Sequence, residues 1–199
     1  MKSSGFINMT LTLVLVASVA AVSLGFVYKM TKGPIAQAKL EKKLSAIEKV
    51  GGEYDNAPLS EAVFFQMNEN ELQQVSESAE GQKIVLYPLN KEGKMSTVVI
   101  HSYTEQGYSG LIEIMVGFDL RGNVTEIEVL AHKETPGLGS KINDPDFKDQ
   151  YYGKNPESHN LKVTKDDGEI DAISGATISS RAFSEAVELA FQTYKSYSP

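Results

Sequence analysis

The feature of this sequence that most constrains its structure is a long uncharged stretch near the N-terminus. From Ser3 to Tyr28 no residue carries a charge, with Lys2 before the stretch and Lys29 after it. About 20 predominantly apolar residues are enough to span a lipid bilayer as a helix. A helix packed in a protein core rarely lacks every charged residue over such a length. The sequence therefore predicts a transmembrane anchor over residues 1–30.

An alternative interpretation of the same stretch is a signal peptide that is removed. Small residues between Ala17 and Ala21 could form a processing site. The apolar run continues beyond them, however, and Tyr28 with Lys29 has the character of the interfacial end of a spanning helix. An uncleaved anchor is therefore favoured, and cleavage is the open alternative.

The composition argues against several classes of function. There is no cysteine, which removes thiolate catalysis, iron–sulfur ligation, zinc–thiolate sites and a bacterial lipoprotein anchor. The sequence has only three histidines, His101, His132 and His159, so no metal site is predicted. The formal net charge of −7, from 26 acidic and 19 basic side chains, argues against nucleic acid as a partner.

The membrane orientation is predicted from two opposing signals. Lysines after the apolar stretch outnumber Lys2 before it, and the positive-inside rule would then keep the C-terminal part in the cytoplasm. A long hydrophilic domain behind a single span is, however, commonly translocated whatever its charge. The lack of cysteine also suits an oxidising compartment. We expect a single-pass protein of the cell inner membrane whose C-terminal domain faces the periplasmic, extracytoplasmic side.

Behind the anchor the sequence predicts a stalk helix over residues 31–52 and a domain over residues 53–199. Gly33-Pro34 is expected to separate the anchor from the stalk. Apolar residues then recur at helical spacing until two glycines end the helix. This stalk is expected to pack partly on the domain. The acidic stretch from Glu53 to Glu80 has no secure assignment.

The domain is predicted to be α+β, with an antiparallel sheet flanked by helices. Segments between Lys83 and His132 are rich in β-branched and aromatic residues and are joined by short glycine-containing turns, which indicates hairpins. Their alternation predicts one covered face and one wetter face. The last segment is predicted to be a helix whose apolar stripe packs on the sheet, formed by Phe183, Ala186, Val187, Ala190, Phe191 and Tyr194.

Small and hydroxyl-bearing residues precede this last helix. Gly175 permits backbone conformations that other residues resist, and its small neighbours let a ligand approach the main chain. A helix beginning near Ile178 would present unpaired N–H groups and a positive dipole end, which suits a phosphate. Further donors would come from four hydroxyls, those of Ser174, Thr177, Ser179 and Ser180. From these residues alone, helix capping is the simpler explanation.

A second unusual stretch follows the last predicted strand, from His132 to Gly139. Pro136 stiffens this loop, while Gly137 and Gly139 leave bare backbone on either side of Leu138. Such a loop can lie against a flat ring and form hydrogen bonds to its edge. A plain β-turn that leaves a strand is the alternative explanation.

Together these motifs resemble one family. The chain is similar to the G subunit of the Rnf-type ion-translocating ferredoxin:NAD oxidoreductase. The similarity lies in the Ser174–Ser180 stretch, the Glu134–Gly139 loop, the upstream Gly107–Asp119 segment and the N-terminal anchor. The resemblance covers essentially the whole chain. It implies a membrane-anchored subunit that relays electrons within a complex, coupled to translocation of Na⁺ or H⁺, and that completes no reaction alone.

The resemblance also implies a cofactor and its attachment. In that family FMN is joined through its phosphate to the last threonine of the Ser-Gly-Ala-Thr motif, which is Thr177 here, and a separate flavin transferase installs it from FAD. Lys165 resembles a family lysine near the flavin, and Asp171 is expected to order the loop. The other expected cofactor-binding residues are Ser174, Gly175 and Ala176 at the attachment motif, and Glu134, Thr135, Gly137, Leu138 and Gly139 around the isoalloxazine ring.

Several alternatives remain open from the sequence. The nearest is the related C subunit of the sodium-translocating NADH:quinone reductase, whose chains are generally longer between anchor and flavin domain. A stand-alone anchored FMN domain and a cofactor-free anchored binding or scaffold domain are the others. A serine hydrolase is disfavoured because the Gly-x-Ser-x-Gly elbow is missing, and for His132 a structural role is favoured over a proton relay. Expected partners are the other subunits of the complex, the transferase and the membrane.

Overall fold

The structure is a computed structural model that describes residues 3–68 and 71–197. The chain divides into two compact units, Met1–Lys43 and Leu44–Pro199. The helices are α1 (Ser3–Gly51), α2 (Pro145–Lys148) and α3 (Thr177–Tyr197). The strands are β1 (Val63–Asn68), β2 (Glu71–Val75), β3 (Ile84–Lys91), β4 (Lys94–Gly107), β5 (Gly110–Asp119) and β6 (Val124–His132). Short 3-10 turns cover Gly139–Asn143, Asp149–Tyr151 and Thr164–Asp166.

The first helix runs without interruption through Gly33 and Pro34. The expected separation of anchor and stalk at these residues is therefore wrong. A proline inside a helix removes one backbone hydrogen bond and costs about 3 kcal/mol, but helix-favouring residues on both sides continue the helical path. The helix from Gly5 onward is long and apolar enough to cross a membrane. The boundaries 1–30, 31–52 and 53–199 stay a prediction.

The domain is built on a six-stranded antiparallel sheet in the order β2-β1-β3-β4-β5-β6. Strands β3 to β6 are those that the sequence predicted, and their hairpin pairing is confirmed. Strands β1 and β2 lie in the stretch from Glu53 to Glu80, which had no assignment from its sequence pattern. Strand β2 is largely exposed and lacks the alternation that marks a half-buried strand.

One face of the sheet packs against α3. The predicted apolar stripe of this helix is confirmed, and Phe183, Ala186 and Val187 are completely shielded from solvent. The buried Ser102 hydroxyl on β4 donates a hydrogen bond to the Ala186 carbonyl at 2.8 Å. A polar atom inside this contact is thereby satisfied, as buried polar groups must be. The helix is held on the sheet along most of its length.

The opposite face is covered only in part, so the expectation of one wetter face is confirmed. Glu113 and Glu128, on the same side of their strands as Met115, keep side chains that are 32% and 27% exposed. The end of α1 lies on this face, with Ala46, Ile47 and Val50 buried in one cluster with Tyr87 and Met115. Strand β3 is consequently buried on both faces over most of its length. Its sequence is a nearly continuous apolar run, which is the pattern of a strand covered on both sides.

The irregular segment between β6 and α3 is fixed to the core. Tyr151 is buried, and its hydroxyl shares a hydrogen bond with the Ser184 hydroxyl on α3 at 2.8 Å. Val163 and Ile170 pair in a short parallel bridge, and both are buried. These contacts fix the Thr164–Asp166 turn, whose side chains reach the start of α3.

Candidate functional site

The turn in front of α3 is tied to the first turn of the helix. Gly175 has a φ of 78°, in the left-handed region that glycine adopts without strain. The Ser180 hydroxyl accepts a hydrogen bond from the Ile173 N–H at 3.0 Å and donates one to the Ala176 carbonyl at 3.0 Å. Ser174 and Gly175 are exposed, whereas Ala176 is buried. The turn therefore presents a short stretch of bare backbone to solvent.

Two of the four predicted anion-binding hydroxyls point the other way. Ser179 and Ser180 are buried and bonded to other parts of the protein. The expectation that they offer donors to an anion is therefore wrong, because their helical positions direct them towards the core. Ser174 and Thr177 remain at the surface.

Thr177 is the first residue of α3 and meets a cation. The Lys165 ammonium group donates a hydrogen bond to the Thr177 hydroxyl oxygen, with 2.9 Å between Nζ and Oγ1. Lys165 lies in the Thr164–Asp166 turn, 12 residues earlier in the chain. The structure thus brings together the predicted attachment residue and the predicted neighbouring lysine.

A bidentate ion pair lies beside this contact and was not predicted. Arg181 donates from Nε and Nη2 to the two carboxylate oxygens of Asp166, at 2.6 and 2.7 Å. The hydrogen bonds from Arg181 hold the pKa of the Asp166 carboxyl below its usual value. Arg181 stands one helical turn after Thr177, and Asp166 directly follows Lys165. The pairing joins two distant segments, so no local pattern signals it.

Glu134 points into the interior of the protein. Its carboxylate is buried, accepting a hydrogen bond from the Ser109 N–H at 3.0 Å and another from the Ser179 hydroxyl at 2.6 Å. Glu134 thereby links the β4–β5 hairpin, the loop after β6 and the first turn of α3. Its side chain is engaged in contacts within the protein, and its expected role at a ring stays a prediction.

The Thr135–Gly139 loop is divided between surface and core. The Thr135 carbonyl accepts hydrogen bonds from the Leu138 N–H at 3.2 Å and from the Ser140 N–H at 3.1 Å, so the loop is tightly closed. Thr135 and Gly137 are exposed, and the Leu138 side chain is 46% exposed.

Gly139 faces the interior of the protein, and its expected place beside a ring stays a prediction. It is buried, and a Cβ there would lie 2.5 Å from Glu134 Oε2 and 2.6 Å from Ser179 Oγ. Its glycine is needed for the close approach of the loop to α3. Leu138 lies against the turn in front of α3, because a Cβ added to Gly175 would be 3.5 Å from Leu138 Cδ2.

Asp171 and His132 are held by their neighbours. The Gln150 side chain binds the backbone of Asp171, accepting from its N–H at 2.7 Å and donating to its carbonyl at 3.3 Å. The Asp171 side chain is exposed, so the ordering at this position comes from the main chain. His132 accepts from the Glu134 N–H through Nδ1 at 3.1 Å, and its Nε2 lies 2.7 Å from the Asn143 amide. These contacts give His132 a structural role.

A cleft of 780 Å³ runs along the flank of α3. Asp166 and Arg181 line one end of it, and Gln192 lies towards the other end of the helix. The residues of the Thr135–Gly139 loop do not line it. Within residues 3–68 and 71–197, no group of three or more His, Asp or Glu side chains could hold a metal ion.

Comparison with known proteins identifies the family. Residues 107–192 match the model of an FMN-binding domain. The G subunit of the ion-translocating oxidoreductase complex of Aliivibrio fischeri strain MJ11 is 37% identical over 195 residues, covering 94% of this chain and 90% of the relative. The protein of the same name from Vibrio cholerae serotype O1 strain M66-2 is 31% identical over 188 residues, covering 89% and 86%. The chain belongs to the G-subunit family of ion-translocating oxidoreductase complexes. The resemblance inferred from its motifs is confirmed.

Solved structures share the fold of this member of the G-subunit family. NqrC of Shewanella oneidensis has a TM-score of 0.53 at 17% identity, covering 78% of this chain and 93% of that one. The C subunit of the Na⁺-translocating NADH-quinone reductase from Parabacteroides distasonis has a TM-score of 0.52 at 18% identity, covering 80% and 94%. This likeness confirms the predicted α+β fold. At these identities the two quinone-reductase subunits show a shared fold and no more.

The residues at the start of α3 fit a flavin nucleotide. A helix of 21 residues offers its positive end and unpaired N–H groups to a phosphate. Lys165 supplies a cation at the Thr177 hydroxyl, and the exposed Leu138 side chain supplies an apolar surface next to Gly175. The start of α3 therefore offers both a cation and an apolar surface, which are the two kinds of contact that a flavin nucleotide needs.

Proposed function

We propose that Thr177 carries FMN through a phosphoester bond, and that this membrane-anchored protein relays electrons through that flavin within an ion-translocating complex. The observation that carries the proposal is the contact between Lys165 Nζ and Thr177 Oγ1 at 2.9 Å, at the first residue of a long helix. A hydroxyl in this position is partly exposed, next to a cation and at the positive end of a helix dipole. Helix capping alone gives no reason for the lysine.

The charges at this position match a phosphodiester. Such a group retains one negative charge, which the helix N-terminus and the Lys165 ammonium group would both stabilise. Ser174 and the exposed Gly175 lie on the same turn, and their small size leaves room for the phosphate oxygens. Asp171 and Gln150 would hold the turn through its main chain.

The attachment requires FAD as the co-reactant and a flavin transferase as the catalyst. Thr177 Oγ1 forms a bond to the phosphorus of the FMN half of FAD, while the pyrophosphate bond of FAD breaks and AMP leaves. The hydroxyl proton passes to a base on the transferase. Lys165 would stabilise the oxygen as its proton departs, because an ammonium donor favours developing negative charge.

The isoalloxazine ring would lie on the exposed part of the Thr135–Gly139 loop. Gly137 and Leu138 face solvent there, and Leu138 reaches the attachment turn. Glu134 and Gly139 would support this surface from below, through the bond to Ser179. The bound flavin would supply one- and two-electron transfer. The tether would prevent its loss from an extracytoplasmic site.

The partners follow from family membership. The curated relatives are named as subunits of an ion-translocating oxidoreductase complex, so this chain would exchange electrons with other subunits of such a complex. Translocation of Na⁺ or H⁺ would belong to the whole assembly. A stand-alone FMN domain would have the same site but would require no such partners.

The proposal is tested by producing the full-length chain with and without its flavin transferase. We expect a band that fluoresces under ultraviolet light after denaturing electrophoresis only when the transferase is present, because a phosphoester survives denaturation. A dark band with an active transferase and FAD would contradict the proposal. It would favour a reversibly bound flavin or a cofactor-free anchored domain.

The orientation can be tested because the chain has no cysteine. We propose that the domain is extracytoplasmic, and Ser76 is an exposed position on it, remote in sequence from the flavin motif. In intact cells whose outer membrane has been permeabilised, a Ser76→Cys variant should react with a membrane-impermeant maleimide. Labelling only after the inner membrane is also broken would place the domain in the cytoplasm and contradict this orientation.

A further inference from the structure

We propose that the Asp166–Arg181 ion pair is a positioning device that holds Lys165 on the Thr177 hydroxyl and so sets the rate of flavin attachment. The inference rests on the proposed attachment at Thr177. It assigns a role to Asp166 and Arg181, which neither the motifs nor the family comparison singles out. Asp166 and Arg181 act through Lys165 and do not themselves contact the reacting oxygen.

Two side-chain contacts, lying next to each other, join the Thr164–Asp166 turn to α3. Lys165 and Asp166 are neighbours in the Thr164–Asp166 turn, and their partners Thr177 and Arg181 are four residues apart on α3. Residues four apart on a helix lie on the same face. The ion pair therefore fixes the turn against the same side of α3 from which the Thr177 hydroxyl projects.

The main chain of the turn is fixed only on the side away from α3. The Thr164 N–H donates to the Ile170 carbonyl at 2.8 Å, and Val163 is buried. In the described part of the chain, the hydrogen bonds from this turn to α3 are those of Lys165 and Asp166. Without the Asp166 contact, only the flexible lysine side chain would link the turn to the helix.

A lysine side chain needs such help to stay on a target. Ordering its four methylene groups costs up to about 2 kcal/mol of rotamer entropy. The Arg181–Asp166 contact is bidentate and has a defined planar geometry, so it restricts the orientation of the turn as well as its distance from α3. The pair thereby limits the positions from which Lys165 can reach Thr177.

The ion pair contributes little to folding stability. A role in positioning Lys165 can therefore be distinguished from a role in stabilising the fold. Both side chains are more than one third exposed, at 45% and 35%, and exposed pairs contribute little to folding. Arg181 lowers the pKa of Asp166, so the pair is intact at neutral pH and would be lost only in acid. Breaking it should slow attachment and leave the thermal midpoint almost unchanged.

The test uses charge reversal in the full-length, flavin-free chain in detergent. The initial rate of flavin incorporation is measured with purified transferase and FAD. Arg181→Asp and Asp166→Arg should each slow incorporation roughly 10-fold, as expected for a displaced supporting group, and the double reversal should recover most of the rate. Arg181→Gln breaks the ion pair without reversing the charge and should also slow incorporation. It keeps the test valid if the charge-reversed variants do not fold.

The decisive comparison is made in a Lys165→Met background. Lys165→Met alone should slow incorporation at least as much as breaking the ion pair, and adding Arg181→Gln should have no further effect. The matched control is the Lys195–Glu157 pair, which joins the far end of α3 at 2.7 Å. Lys195→Glu should leave the rate unchanged.

The outcomes separate this inference from the attachment itself. If the wild-type chain is not labelled, or Thr177→Ala is still labelled, attachment at Thr177 is wrong. If Thr177 is labelled but Arg181→Gln and both reversals react at the wild-type rate, the positioning inference alone is overturned. A loss of rate in Arg181→Gln that is equally large with and without Lys165 would also overturn it, because the pair would then act independently of the lysine.

Discussion

Thr177→Ala should abolish covalent flavin completely. Alanine has no hydroxyl to form the ester, and no neighbouring group can replace it without moving the helix start. The measurement is ultraviolet fluorescence of the denatured chain after co-production with its transferase, normalised to total protein. The fold should survive, since Thr177 is only partly buried and lies outside the main core.

Two neighbouring variants serve as controls for that result. Ser174→Ala should keep the covalent flavin, because the Ser174 hydroxyl is exposed on the turn and is not the proposed nucleophile. Thr177→Ser should keep part of it, since a primary hydroxyl remains in the same position. Undiminished fluorescence in Thr177→Ala, or its loss only in Ser174→Ala, would mean that the attachment residue is wrong.

Phe183→Ala should destabilise the domain by about 3–5 kcal/mol, the usual cost of removing a large buried aromatic side chain. Phe183 lies on α3 and is fully buried in the core cluster. Its ring centroid lies 5.2 Å from that of Phe147 and 5.3 Å from that of Tyr151. The variant removes these contacts and leaves a cavity beneath the helix that carries Thr177.

Denaturant unfolding of the detergent-solubilised chain, followed by near-ultraviolet circular dichroism, measures this loss. Leu120→Ala is the control, because Leu120 is 57% exposed and such a surface change should stay within about 0.5 kcal/mol. The folded fraction of Phe183→Ala should still accept flavin. A loss of less than about 1 kcal/mol would show that the core is not centred on this contact.

The regular part of the fold was predictable from local patterns. Strands β3 to β6 have β-branched runs and glycine-containing turns, and α3 repeats its apolar residues at helical spacing. These signals lie within short windows of sequence. The cover on the second sheet face was harder to predict, because it depends on where Ile47 and Val50 meet the sheet.

Two local rules misled the sequence-based prediction. Pro34 is a strong helix-breaking signal, yet α1 continues through it. The stretch holding β1 and β2 is acidic and weakly patterned; β1 pairs with the edge of β3, and β2 pairs with β1. Strand pairing outweighs the weak local pattern of β1 and β2, whereas at Pro34 the helix-favouring residues on both sides outweigh the proline.

At the site, the sequence indicated the residue types but not their directions. Thr177 and Lys165, which the family resemblance singled out, lie within hydrogen-bond distance of each other. Glu134 and Gly139 belong to the supporting layer, because their side of the loop packs on Ser179. This inward direction is a tertiary property, as is the pairing of Asp166 with Arg181.

The central claim is tested most directly by intact-protein mass spectrometry of the chain isolated from its native membrane. The account predicts a mass equal to the polypeptide plus FMN minus one water. Fragmentation should place the added mass on Thr177. An unmodified polypeptide, or the added mass on another residue, would contradict the account.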